Sequence, residues 1–203
     1  MTVITLAVLA VWLGSPFMAP QQTIPEVAMA SNNKELHMTL LDDARPLPLS
    51  SLVGQSALIV VGKLHNERAR LTPNKTSIVT TYDIQPIRVL LDRNAMKTIR
   101  LPEELSPLSV TVVGGRLEIG DKIVWLKDLT RRTWDPESVM VLFLTRDESA
   151  TGNGQYVLAG GNAGLFRLTA EQELRGLLQH GDDGELELMP LAELSQRIGA
   201  ASR

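Results

Sequence analysis

Apolar and polar positions alternate in short runs along most of the chain, a pattern of strands rather than helices. Ala57 to Lys63 (ALIVVGK) is nearly continuous apolar sequence rich in β-branched residues, as expected of a strand buried on both faces. Gly62 inside it marks a bulge or a sharp bend. Thr76 to Leu91 is the longest predicted strand, and its alternation changes phase. Ile78, Tyr82 and Ile84 share one face, whereas Ile87, Val89 and Leu91 share the other. A one-residue bulge near Gln85 and Pro86 is expected to return both halves to the same face. Leu108 to Val113 predicts a strand stopped by Gly114-Gly115, and Lys122 to Lys127 (KIVWLK) predicts another. Val139 to Thr145 (VMVLFLT) is apolar on both phases, which places it centrally in a sheet. Asn153-Gly154 is a hairpin dipeptide leading into Gln155 to Ala159, and Gly160 to Gly164 turns the chain into Leu165 to Leu168.

Helical signals are few. Pro48 to Gln55 suits one short turn, with Pro48 early, where its missing N–H costs nothing. Pro190 to Ala200 is amphipathic, with Leu191, Leu194 and Ile198 on one face. Glu173 to Gln179 reads as a helix or as one arm of a hairpin, and the Gly181-Asp182-Asp183-Gly184 turn favours the hairpin. The expected fold is therefore mainly β: a small OB-like, closed or partly open barrel with a short C-terminal helix, or alternatively a β-sandwich. Its expected parts are a hydrophobic segment at 1–30, a flexible lead-in at 31–47, the barrel at 48–170, and a hairpin with helix at 171–203.

The N-terminus changes the picture. Val3 to Gly14 is uncharged and mainly apolar, the length of a secretory h-region and shorter than the roughly 20 residues of a spanning helix. Ala28 and Ala30, ahead of Ser31, supply the small-x-small pattern of a signal-peptidase site. No Lys or Arg precedes the apolar run. The segment is thus read as a signal peptide of a periplasmic or extracellular protein, with an uncleaved membrane anchor or a buried N-terminal helix as alternatives.

Composition narrows the function classes. A 44% hydrophobic and 21% charged chain of 203 residues can bury a substantial core. A net charge of −3 and only 4% aromatic residues give no drive toward nucleic acid. With no cysteine, disulfides, thiolate metal sites, a cysteine nucleophile and lipoprotein acylation are excluded.

The order of motifs SALIVVGKL, TSIVTTYDIQPIRVLL, SVTVVGG, VMVLFLT and YVLAGGNAGLFRL resembles a group of uncharacterised exported bacterial proteins, over about Leu49 to Leu168. More distantly the layout is similar to netrin-type modules and the tissue inhibitors of metalloproteinases, which are OB-fold barrels. The resemblance implies an exported barrel. The inhibitors' metal-binding cysteine has no counterpart here, so their chemistry does not carry over.

Candidate chemistry is sparse. His37, His65 and His180 lie at no ligand spacing. Asp182-Asp183-Gly184-Glu185 lacks the register of a calcium loop and reads as a turn. Gly114-Gly115 and Gly160 to Gly164 precede strands rather than a helix, so they read as turns that need positive φ, not phosphate loops. Gly54-Gln55-Ser56 is half of a nucleophile elbow, with Leu58 in the place of its second glycine. Arg131, Arg132 and Trp134 form the most distinctive cluster, an aromatic among cations that suits an interaction surface or, alternatively, a packed Trp134 beside solvated arginines. No cofactor is expected. The leading expectation is a non-enzymatic binding module of the bacterial envelope. Its partner would be a protein or polymer, met through the loops Asp92–Pro107 and Asp128–Ser138. A small-ligand carrier or an enzyme assembled in three dimensions is the alternative.

Overall fold

A computed structural model describes residues 22–40, 47–93, 108–128, 138–147, 155–176 and 188–201. In chain order its elements begin with helix α1 (Ile24–Ala30), strand β1 (Glu35–Leu40), helix α2 (Leu49–Gln55) and the long strands β2 (Leu58–Leu71) and β3 (Ile78–Asp92). Strands β4 (Ser109–Val113), β5 (Gly115–Ile119) and β6 (Lys122–Asp128) follow, then β7 (Met140–Arg146) and β8 (Gln155–Leu158). A 3₁₀ turn (Gly161–Gly164), β9 (Leu165–Leu168), β10 (Leu174–Gly176) and helix α3 (Leu191–Ala201) complete the set. These elements form two compact units. The first draws on Met1–Asp42, Arg68–Thr80 and Val113–Leu129, and the second on Asp43–Glu67, Thr81–Val112 and Thr130–Arg203.

The second unit is a closed five-stranded barrel. Its hydrogen-bonded order runs β7-β2-β3-β4-β8, and β8 returns to β7 to close the ring. Counted along the chain, the first barrel strand thus pairs with the second and fourth. The third pairs with the fifth, and that pairing is parallel. This is the strand order of an OB-type barrel. Leu58 and Val60 of β2, Tyr82 and Ile84 of β3, Val110 of β4, Leu142 and Leu144 of β7 and Leu158 of β8 fill the interior.

Alternation then dictates a second core outside the ring. Ile59 and Val61 of β2 and Val141 and Phe143 of β7 point away from the barrel, against Leu52 and Val53 of α2 and Leu194 and Ile198 of α3. That is why β2 and β7 read as apolar on both phases. β7 is central as expected, bonded to β2 on one side and on the other to β9 along Met140–Leu142 and to β8 along Leu144–Arg146. At the C-terminus, β10 exchanges backbone hydrogen bonds with Leu188 and Met189, so the hairpin alternative holds there; the turn itself lies outside the described residues.

Two details of the long strands depart from expectation. β2 continues past the expected end at Lys63 to Leu71, which puts His65 within the strand. The phase of β3 does change, since Ile84 and Val89, an odd number of residues apart, both pack on the barrel core. The second half does not share one face, however. Leu91 belongs to the outer core, and Ile87 is 53% exposed. A strand that serves two cores in succession gives consecutive residues different destinations.

Gly62 is there for space. A Cβ on it would lie 2.7 Å from the carbonyl oxygen of Gln85, a backbone atom that cannot swing aside. We expect Gly62→Ala to cost about 1–3 kcal/mol, as overpacking does. Gly54→Ala, in α2 with nothing within 4 Å of the new Cβ, should be neutral or stabilising. Urea unfolding of the two variants checks the contrast; equal midpoints would remove the steric explanation. The left-handed backbone in β2 occurs instead at Asn66 (φ 51°), a residue type that tolerates it, and the Asn66 amide donates to Asp83 Oδ2 at 2.9 Å.

The first unit corrects the expected flexible lead-in. Residues 35–40 form β1, which pairs in parallel with β6, and β6 pairs antiparallel with β5. Leu36, Met38 and Leu40 of β1, Val124 and Leu126 of β6 and Leu117 and Ile119 of β5 turn one sheet face onto a core completed by Ile24, Ala28 and Ile78. Gly114 (φ 101°) and Gly115 (φ 137°) carry the chain from β4 into β5, and the buried hydroxyl of Thr80 donates to Gly114 O at 2.5 Å.

Candidate functional site

The opposite face of the β1-β6-β5 sheet is exposed, and its side chains follow from the two-residue period. Glu35, His37 and Thr39 of β1, Trp125 and Lys127 of β6, and Arg116 and Glu118 of β5 all point outward. Register sets them in rows. His37 lies opposite Trp125, and Trp125 opposite Arg116. The imidazole and indole planes are within 5° of parallel with centroids 6.2 Å apart, and the Arg116 guanidinium carbon sits 5.6 Å from the indole centroid. Because β6 is the middle strand, the indole is held between an imidazole and a cation, an arrangement each pair favours.

Carboxylates flank the row. Arg116 donates to Glu118 Oε1 at 3.1 Å, and His37 Nε2 lies 4.0 Å from Glu35 Oε2. Both pairs are well exposed, so each contributes little to stability; their effect is to restrict the side chains that bracket the tryptophan. Trp125 remains 40% exposed. The indole stands beside the guanidinium and the imidazole on a ridge of mixed charge.

Arg131, Arg132 and Trp134 lie outside the described residues, as do His180, the Asp182–Glu185 turn and most of both loops singled out in the sequence. His65 pairs through Nε2 with Gln85 Oε1 at 3.0 Å. Among the described residues no three His, Asp or Glu side chains converge as a metal site would require. Ser56 is buried, and its hydroxyl donates to Leu52 O at 2.6 Å at the end of α2, a helix-end role. A cleft of about 420 Å³ in the barrel unit is lined by Val61, Ile87, Val139, Leu168 and Leu191, with Arg88 as its charged group.

Sequence reasoning passed over the His37–Trp125–Arg116 row. A signal existed in ELHMTL and GRLEI, where polar residues alternate with apolar ones. The parallel register that brings the distant β1 beside the β5–β6 hairpin was not in it. No protein-family model and no curated protein matches this sequence.

Proposed function

We propose that the protein is a non-enzymatic binding module acting outside the cytoplasm, and that it meets a protein partner through the exposed face of the β1-β6-β5 sheet. The observation that carries this reading is the half-exposed Trp125 fixed between His37 and Arg116. Tryptophan and arginine are the residues most often found at energetic hot spots. Side chains already held in place lose less freedom on binding. The mixed charge around the indole and the chain's net charge of −3 favour a protein over a nucleic acid. Export is supported by the uncharged apolar N-terminal sequence.

The test is site-specific photo-crosslinking in the native cells, with a photoreactive phenylalanine analogue at position 125 and, as control, at the exposed Gln196 of α3. A discrete adduct from position 125 alone is expected. With the partner in hand, Trp125→Ala should weaken binding at least about thirtyfold, the loss of one hot spot of about 2 kcal/mol. Equal or absent adducts at the two positions would overturn the reading.

A second reading, carriage of a small amphiphile, rests on the cleft beside Arg88. It ranks lower because Val61 and Leu191 belong to the packed outer core, and Val139 and Leu168 pack against it.

A further inference from the structure

The motif that marks a signal-peptidase site, Ala28-Met29-Ala30, lies in α1, and α1 is built as a permanent part of the first unit. Its start is fixed by a capping box. Thr23 N–H donates to Glu26 Oε2 at 2.7 Å, and Glu26 N–H donates back to Thr23 Oγ1 at 3.4 Å, with Pro25 in the first turn. The backbone N–H of Ile24 donates to Lys75 O at 2.8 Å, tying the helix to the turn between β2 and β3. Ile24 and Ala28 are buried in the same core as Val124 and Leu126 of the sheet. The small residue that a peptidase would read at Ala28 is also the small residue that the core requires there.

The end of the helix is the most telling part. Lys122 Nζ donates to Ala28 O at 2.7 Å and also to Ser31 O. One ammonium therefore holds carbonyls on both sides of the Ala30–Ser31 peptide bond. Cutting that bond would remove Ile24 and Ala28 from the core, strip Lys122 of one acceptor, and create a second ammonium on Ser31 beside it. Beyond Ser31 the chain runs directly into the pairing with β6, where Ile123 N–H donates to Lys34 O.

We propose that the chain is not cut after Ala30: α1 stays in the mature protein as a folded part of the first unit. The inference is independent of which partner the sheet face meets.

The experiment uses the full-length gene expressed in its native cells. The intact mass and the N-terminal peptides of the protein purified from those cells are measured. The expected result is a mature protein whose mass includes Ile24–Ala30 and whose peptides span Ala30–Ser31. A mature N-terminus at Ser31 would overturn the proposal.

Discussion

Phe143→Ala is expected to cost about 3–5 kcal/mol, a large share of the 5–15 kcal/mol that ordinarily separates folded from unfolded states. Phe143 is fully buried and occupies the middle of β7, the strand that bonds to β2, β8 and β9. Its ring meets Phe166 edge-on, with centroids 5.7 Å apart and planes at 67°, in the layer covered by α2 and α3. Truncation removes the ring from that layer, and the surrounding backbone is held by ladders on both sides, so the cavity cannot easily collapse. Equilibrium unfolding in urea, followed by far-UV circular dichroism, measures the loss. Thr145→Ala on the same strand, half-buried, is the control and should change stability by less than about 1.5 kcal/mol. If the two variants unfolded at the same denaturant concentration, the outer layer would not be the core inferred from its burial.

The same strand shows what was legible in advance. VMVLFLT is apolar on both phases, and that property predicts burial on two faces whatever the partners are. Leu191, Leu194 and Ile198 were legible for a similar reason, since a period of 3.6 puts them on one buried stripe. β1 was not. Its alternation of Glu35, His37 and Thr39 with Leu36, Met38 and Leu40 is a strand pattern, but it sits in a polar, proline-flanked stretch and pairs in parallel with β6, more than eighty residues away. Such a pairing leaves no turn signal. The candidate site was illegible for the same cause, because His37 joins Trp125 and Arg116 of the β5–β6 hairpin only through that parallel pairing. α1 was illegible for a different one: a small residue at Ala28 suits a peptidase motif and a buried helix position equally well, and its burial and the Lys122 hydrogen bond are what separate a core helix from a bare motif.

That separation has a direct consequence for stability. Ile24→Asp should destabilise the first unit by at least about 4 kcal/mol, combining the loss of a buried aliphatic chain with the burial of a carboxylate. Ile24 is 2% exposed among Val124, Leu126 and Ile78, none of which can bond to a carboxylate. The core of this unit is small, so one position carries a larger fraction of it than Phe143 does of the barrel unit. Ile24→Val, which removes one methylene, should cost only about 0.5–1.5 kcal/mol. Urea unfolding followed by NMR of the His37 ring protons reads the unit directly, since the indole of Trp125 stacked on that ring shifts them from their unfolded positions. In Ile24→Asp the shift should vanish under conditions where the natural chain and Ile24→Val retain it. If Ile24→Asp kept the shift to the same urea concentration, α1 would not be part of the folded core, and a cut after Ala30 would leave the sheet and its tryptophan undisturbed.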